Sequence, residues 1–157
     1  GYYNRPELTA EVMTEDGWLK TGDIANIDKD GHIHITGRIK NMIVLSGGKK
    51  VFPEEVEAVL GESENFAEVC VFGSSRTVGA KEGTEDIVAV IVPTEHFASL
   101  YPDKAELDKK VREEVKVLSC HLASYKRPVN IMVVKDPLPK TTTRKIKRKE
   151  VKELLGV

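Results

Sequence analysis

Hydrophobic residues follow a helical period between positions 104 and 122. They recur at intervals of three or four, with Lys and Glu filling the positions between them, and they are Leu107, Val111, Val115, Leu118 and Leu122. A stripe of this kind gives a helix one apolar face to bury. The pattern therefore predicts an amphipathic helix over residues 104–122.

Two other segments, residues 67–73 and 85–93, are almost continuously apolar and rich in Val and Ile. This composition is typical of strands that bury one face or both. A loop is predicted between them over residues 74–84, and another strand over residues 130–135.

The first 37 residues show a different pattern. Ile33 and Ile35 alternate with His32 and His34, which predicts a half-buried strand. The dipeptide at residues 30–31 is Asp-Gly, a sequence that favours a hairpin turn. A short helix is predicted upstream over residues 5–13.

Pro53 stands where the first residue of a second helix is expected, with Glu54 and Glu55 in its first turn. A final short helix is predicted over residues 148–155. The predicted fold is therefore α+β. An N-terminal β-hairpin region, residues 1–37, precedes a small domain of short mixed strands packed with about three helices, residues 38–157.

Composition narrows the possible functions. The chain has 157 residues, with 24 basic and 25 acidic side chains, and this balance argues against a dedicated nucleic-acid-binding protein. Two cysteines without metal or redox spacing favour a reducing compartment, so we expect a cytoplasmic location. No apolar run approaches the roughly 20 residues that span a bilayer, so at most peripheral membrane association is expected.

The sequence DKDG at residues 28–31 is similar to part of a calcium loop. An EF-hand requires a Glu at its twelfth position, but Gly37 or Ile39 stands there, depending on the starting residue. His32 and His34 share one strand face, and the sequence places no third ligand nearby. We therefore expect an ordinary turn with surface histidines and predict no metal site.

Two further segments admit more than one interpretation. The sequence SGGKK, residues 46–50, does not match a Walker loop, and a plain turn is the simplest interpretation. Its glycines would nevertheless allow another molecule to approach the backbone closely, and its lysines could attract an anion. Residues 140–149 contain six basic residues and no acid. This composition would fit either a tail that binds nucleic acid or a catalytic loop.

Considered together, these segments resemble a known family. The sequences KTGD (20–23), ITGR (35–38), SGGKKVFPEEVE (46–57) and LPKTTTRKIKR (138–148) are similar, in order and spacing, to motifs in the carboxyl-terminal portion of AMP-forming acyl-CoA synthetases. The branch that they resemble most is the long-chain fatty acid–CoA ligases of this adenylate-forming superfamily. The resemblance implies a two-step reaction, acyl-adenylate formation followed by thioester formation, with rotation of the small domain between the steps.

The resemblance assigns three residues to the nucleotide and the hinge. Asp23 matches the aspartate that accepts both ribose hydroxyls, and a carboxylate offers two oxygens to a vicinal diol. Arg38 matches an arginine that also contacts the ribose. Lys40 matches the hinge position.

Three more residues are assigned to coenzyme A. Gly47 and Gly48 match a loop that lines the pantetheine tunnel, where a side chain would obstruct the thiol arm. Lys49 matches a position where some relatives place a basic residue near the phosphates of coenzyme A.

Lys145 matches the catalytic lysine, whose ammonium stabilises the charge that develops on the α-phosphate. Lys140 is the alternative within this motif. Relatives usually have Gly before the lysine, but here it is Arg144. If the loop needs a positive φ at this position, Arg144 is strained; otherwise the turn differs, or the lysine is held differently. Arg148 is expected to support the loop or the helix that follows it, and Lys147 and Lys149 to be solvated.

The resemblance also implies ligands and partners. They are ATP with Mg²⁺, bound mainly by a larger N-terminal domain, together with a fatty acid, coenzyme A and that domain itself. Because the chain does not open with Met and contains no phosphate-binding segment, we expect a fragment that is inactive alone. Two alternatives remain open: acyl transfer to the phosphopantetheine of a carrier protein, and a basic-tailed module that binds nucleic acid or protein.

Overall fold

The structure, a computed structural model, describes residues 1–75 and 85–157. It divides into two compact units, Gly1–Lys40 and Asn41–Val157. Most of the loop predicted over residues 74–84 lies outside the described residues, whereas residues 74 and 75 complete a strand. Among the described residues, no helix has the length and apolarity needed to cross a membrane.

The first unit contains helix α1 (Pro6–Val12) and an antiparallel hairpin of strands β1 (Asp23–Ile27) and β2 (Ile33–Arg38). Pro6 is at the start of α1, where its missing N–H has no helical partner to lose. Strand β2 forms as predicted, but its predicted half-burial is wrong. Ile33 and Ile35 are each 69% exposed, because no described residue of the first unit covers this part of the hairpin.

The described residues of the second unit form a three-stranded mixed sheet, a two-stranded hairpin and four helices. Strand β6 is central, antiparallel to β5 and parallel to β7. The strands are β3 (Ile43–Val44), β4 (Lys50–Val51), β5 (Phe66–Ser75), β6 (Glu85–Pro93) and β7 (Asn130–Val133). The helices are α2 (Pro53–Leu60), α3 (Glu95–Leu100), α4 (Lys104–Leu118) and α5 (Arg148–Leu155). The α+β prediction is confirmed.

The helices differ from the prediction in two details. Helix α3 was not expected; it is short, and the Thr94 side chain caps it by accepting a hydrogen bond from the Phe97 N–H at 3.2 Å. Helix α4 ends at Leu118 rather than residue 122. The chain then tightens into a 3₁₀ turn over Ser119–His121, a common ending of an α-helix.

Apolar residues pack against both faces of the sheet. One cluster lies between the sheet and helices α2 and α4, and includes Val71 and Val111. The other lies beneath helix α5 and includes Cys70, Leu138 and Val151. Burial raises the pKa of the Cys70 thiol to about 12, so this side chain packs as a neutral group. The second cluster anchors the basic segment that carries Lys145.

Candidate functional site

Asp23 and Arg38 lie opposite each other at the open end of the first unit's hairpin. The Arg38 Nε donates to Asp23 Oδ1 at 2.9 Å, and the Asp23 side chain remains 22% exposed. An ionised carboxylate has about four acceptor sites, so this ion pair leaves capacity for further donors. The structure thus brings together the two residues assigned to the ribose, and the carboxylate can still accept hydroxyl groups.

Lys40 lies in a short 3₁₀ turn over Ile39–Asn41 and is exposed. It is also the last residue of the first compact unit. The predicted division was between residues 37 and 38, whereas the compact units meet between residues 40 and 41. The hinge role of Lys40 stays a prediction.

The glycine turn, Leu45–Lys49, joins strands β3 and β4. The Gly48 N–H donates to the Leu45 carbonyl at 3.1 Å, and the Leu45 N–H to the Lys49 carbonyl at 2.9 Å. Gly47 and Gly48 have φ of +83° and +75°, and a Cβ on either would meet no atom within 4 Å. Backbone conformation therefore suffices to explain both glycines, and the same turn presents a bare, open backbone to any approaching molecule.

Lys49 is exposed, and its Nζ lies 4.5 Å from the centre of the Tyr125 ring. Lys126 lies 5.9 Å from the same ring and pairs with Glu55 at 2.6 Å. A cation above an aromatic face is attracted by the ring quadrupole. Sequence reasoning missed Tyr125, because only the tertiary fold brings it beside the glycine turn.

The basic hairpin, Lys140–Ile146, is a tight turn closed by a bridge between its end residues. The Arg144 N–H donates to the Thr141 carbonyl at 2.9 Å, and the Thr141 N–H to the Lys145 carbonyl at 2.8 Å. Arg144 has a φ of +62°. A three-residue hairpin loop of this type ends in a left-handed residue, usually Gly. The turn therefore keeps the conformation that favours glycine, and Arg144 adopts it with strain.

The six basic residues between positions 140 and 149 differ in their ion-pair partners. Four contact acids: Lys140 pairs with Glu68, Lys147 with Glu150 at 2.7 Å, Lys149 with Glu153 at 3.8 Å, and Arg148 with Glu57 at 2.5 Å and Glu54 at 3.3 Å. Within residues 1–75 and 85–157, the side chains of Arg144 and Lys145 have no such partner. The alternative, Lys140, is therefore neutralised, whereas the Lys145 ammonium is free to meet an anion.

Arg148 supports the segment, as expected. Its guanidinium donates to Glu57 and to the Val71 carbonyl at 3.1 Å, which joins α5 to α2 and β5. The other Glu57 oxygen accepts the Val71 N–H at 2.7 Å. Burial raises the pKa of Glu57, and the attraction of Arg148 opposes this shift. The basic hairpin is thus followed immediately by a well-bonded anchor.

The turn between β1 and β2 gathers Asp28, Asp30 and His32, whose ligand-type atoms lie within 4.8 Å of one another. Asp28 accepts the backbone N–H groups of Asp30 at 3.0 Å and His32 at 2.9 Å, and its other oxygen contacts His34 at 2.8 Å. The His34 contact is the main cause that lowers the pKa of Asp28. All four side chains are exposed, and their bonds account for an ordinary turn.

Comparison with known sequences shows the family to which the chain belongs. A profile of the AMP-binding enzyme C-terminal domain matches residues 55–145. An indoleacetate–CoA ligase from Aromatoleum aromaticum is 35% identical over 99% of the chain. A medium/long-chain fatty acid–CoA ligase, FadD8, from Mycobacterium tuberculosis is 37% identical over 97%. The chain spans 27% and 25% of these two relatives, respectively.

Solved structures share the fold of this chain. The adenylation domain of a carboxylic acid reductase from Segniliparus rugosus, in complex with AMP and a carboxylic acid, aligns with a TM-score of 0.85 and 30% identity. The alignment covers 99% of this chain and 25% of that one. ATP-bound MatB from Rhodopseudomonas palustris aligns with a TM-score of 0.71 and 29% identity, covering 98% and 27%. This chain belongs to the family of AMP-binding enzyme C-terminal domains, in the adenylate-forming superfamily.

Proposed function

We propose that this chain is the mobile C-terminal domain of an AMP-forming fatty acid–CoA ligase and that Lys145 is its catalytic cation. The observation that carries the proposal is the Lys145 ammonium, which has no acidic partner among the described residues and directly follows the loop of a tight hairpin. Four neighbouring basic residues are held by acids, so the segment directs one lysine and the strained Arg144 outward. A solvated tail would need no such hairpin.

The chemistry has two steps. A substrate carboxylate attacks the α-phosphate of ATP and releases pyrophosphate, and the thiol of coenzyme A then attacks the acyl-adenylate and releases AMP. Negative charge builds on the phosphate oxygens during the first step, and a preorganised ammonium stabilises that transition state more than the ground state. In this scheme Asp23 accepts the ribose hydroxyls, while Arg38 holds the carboxylate in place.

We propose that a larger N-terminal domain supplies the acyl pocket and most contacts to ATP and Mg²⁺. Two findings support this. The chain covers about a quarter of each of the two ligases described above. The first unit also carries nine of the sixteen large hydrophobic side chains that are exposed among the described residues, and exposed apolar surface of this kind marks interaction sites. Its exposed large side chains include Tyr3, Trp18, Leu19, Ile27, Ile33 and Ile35.

A fatty acid and free coenzyme A are the substrates that we propose, in a cytoplasmic enzyme. The motif at residues 46–57 and the name of the mycobacterial relative support a fatty acid as the acyl substrate. The exposed Lys49 supports free coenzyme A, because its nucleotide carries phosphates. The second candidate is acyl transfer to a carrier protein. A nonribosomal peptide synthetase from Aspergillus terreus, 35% identical over 99% of the chain, favours it. The paired basic residues argue against the third, a nucleic-acid module.

Substitution of Lys145 tests the proposal. In the full-length gene product, Lys145→Ala should lower acyl-adenylate formation by about two to three decades, as removal of one oxyanion donor does. Thioester formation from supplied acyl-adenylate should be largely retained. Lys149→Ala is the matched control, because that side chain is 92% exposed in the same segment, and both half-reactions should stay at the wild-type level.

Two results would contradict the proposal. Equal loss of both half-reactions in Lys145→Ala would refute the division of labour between the steps. Pyrophosphate release from ATP and a fatty acid by the 157-residue chain alone would show that no larger domain is needed. Transfer of the acyl group to a carrier protein in preference to free coenzyme A would favour the second candidate.

A further inference from the structure

Glu68 lies near the beginning of strand β5, on the face that also carries Cys70 and Phe72, since residues two apart share one face. The strand register shifts between Phe66 and Glu68, and a bulge of this kind re-aims a side chain. The Glu68 side chain is only 13% exposed. A carboxylate with so little access to water needs protein partners.

Both carboxylate oxygens of Glu68 have such partners. Oε2 accepts the backbone N–H of Leu138 at 2.8 Å, and Oε1 forms an ion pair with the Lys140 ammonium. Leu138 is itself buried in the apolar cluster beneath helix α5. The Glu68 side chain therefore holds the segment that enters the basic hairpin at two points, the Leu138 backbone N–H and the Lys140 ammonium.

The entering segment is bonded directly to the segment that leaves the hairpin. Lys140 bridges to Ile146, and the Lys147 N–H donates to the Pro139 carbonyl at 2.9 Å. Lys145 immediately precedes the bridged residue Ile146, and its carbonyl accepts the Thr141 N–H at 2.8 Å. A shift of the entering segment would therefore move Lys145 with it, and Arg148 restrains only the other side.

We infer that Glu68 is a positioning residue for Lys145, an inference that rests on the proposed function. Glu68 fixes the place of the hairpin on the sheet. It also neutralises Lys140, so that this ammonium does not compete for the phosphate. The electrostatic contribution of Lys145 depends on its distance from the α-phosphate, and displacements of about 1 Å can lower rates about a hundredfold.

The test uses the full-length gene product with Glu68→Gln, which keeps an acceptor oxygen for the Leu138 N–H but loses the ion pair. We expect the kcat of acyl-adenylate formation to fall about ten- to a hundredfold. The KM for ATP and thioester formation from supplied acyl-adenylate should each stay within about twofold. Lys140→Met should have a similar effect, and the double variant should be no worse than the more affected single variant.

Glu150→Gln is the matched control, because it removes the acid from an ion pair on the exposed surface of α5 and should leave both half-reactions unchanged. Thermal unfolding of each variant is measured in parallel. A parallel loss of both half-reactions and of stability in Glu68→Gln would show a merely structural role and overturn the inference, as would unchanged adenylation.

Lys145→Ala, assayed alongside, separates the two hypotheses. If it abolishes adenylation while Glu68→Gln remains normal, only the positioning role of Glu68 is refuted. If Lys145→Ala adenylates normally, the proposed function fails, and the inference about Glu68 fails with it.

Discussion

The glycine turn and the basic hairpin are both tight connections that need positive φ, but they meet this need differently. The glycine turn uses Gly47 and Gly48, which adopt the left-handed region without strain. The basic hairpin places Arg144 there instead. The first turn therefore presents bare backbone, whereas the second presents, on a strained backbone, two cations that pair with no acid in the described part of the chain.

The surroundings of the two turns differ in the same way. Lys49, beside the glycines, lies over the face of Tyr125, a weak contact that an anion could replace. The basic hairpin is bonded on both sides, by Glu68 before it and by Arg148 after it. This difference suits an open approach for a thiol arm at one turn and a fixed charge for a phosphate at the other.

Among the effects that test this comparison of the two turns, the largest is expected at the glycine turn. Replacing Gly47 and Gly48 together by Ala introduces left-handed alanines, each of which costs about 1–2 kcal/mol. We expect thioester formation from supplied acyl-adenylate to fall roughly tenfold, because the added methyl groups would obstruct the thiol arm where the glycines leave the backbone bare. Adenylation should be unaffected. Single-turnover addition of coenzyme A measures the effect.

Ser46→Ala is the control for this prediction, because Ser46 lies in the same turn but not at a positive φ. If the double variant loses stability but retains thioester formation, the glycines serve the turn alone and the tunnel assignment is wrong.

The next largest effect is expected on the free energy of unfolding when Arg144 is replaced by Gly. Arg144→Gly should raise the free energy of unfolding by about 1 kcal/mol, because it removes a left-handed side chain. Thr142→Gly, at a position without positive φ, should instead lower it by about 0.5–1 kcal/mol. Urea unfolding of the chain measures both, and equal effects of the two glycines would contradict the interpretation of strain.

A smaller effect is expected at Lys49. Lys49→Met should raise the KM for coenzyme A about two- to fivefold, the effect of losing one exposed cation–phosphate contact of about 0.5–1 kcal/mol. The KM for pantetheine, which lacks the nucleotide phosphates, should not change. Tyr125→Leu should have a weaker effect in the same direction, because it removes only the ring beneath the ammonium. A matching change with pantetheine would exclude the assigned phosphate contact.

The smallest effect concerns the pH dependence of the anchor after the basic hairpin. Because burial raises the pKa of Glu57, the folded state binds its proton more readily than the unfolded state. The contribution of Glu57 to stability is therefore fully present below its unfolded pKa of about 4.5 and declines as the pH rises through the raised folded value. Glu57→Gln should remove this part of the slope in unfolding experiments across pH 4–8.

Glu113→Gln should change the slope of stability against pH in the opposite direction. A hydrogen bond from Lys110 lowers the pKa of Glu113, so its contribution is present above the unfolded pKa and is lost as the pH falls through the lowered value. Slopes of the same sign in the two variants would contradict these assignments.

Much of the fold could be predicted from local pattern. Pro53 begins α2, the apolar stripe forms α4 almost to its predicted end, and the Val-rich segments form β5 and β6. Helix α3 escaped prediction because its six residues are too few to show a period. The exposure of Ile33 and Ile35 escaped it because alternation indicates which face is apolar but not what covers that face.

The candidate site likewise combines features that local sequence predicts with features that depend on tertiary structure. Sequence alone determined the residue types and their order, because motif spacing is a local property, but it left the backbone at position 144 open. The structure decided that the turn keeps a positive φ there. Only the tertiary structure decided which cations are free, because pairing depends on acids distant in the chain. Glu68 neutralises Lys140, Glu57 binds Arg148, and no described acid pairs with Lys145. Charge compensation is set by three-dimensional proximity, and that choice distinguishes one lysine from its neighbours.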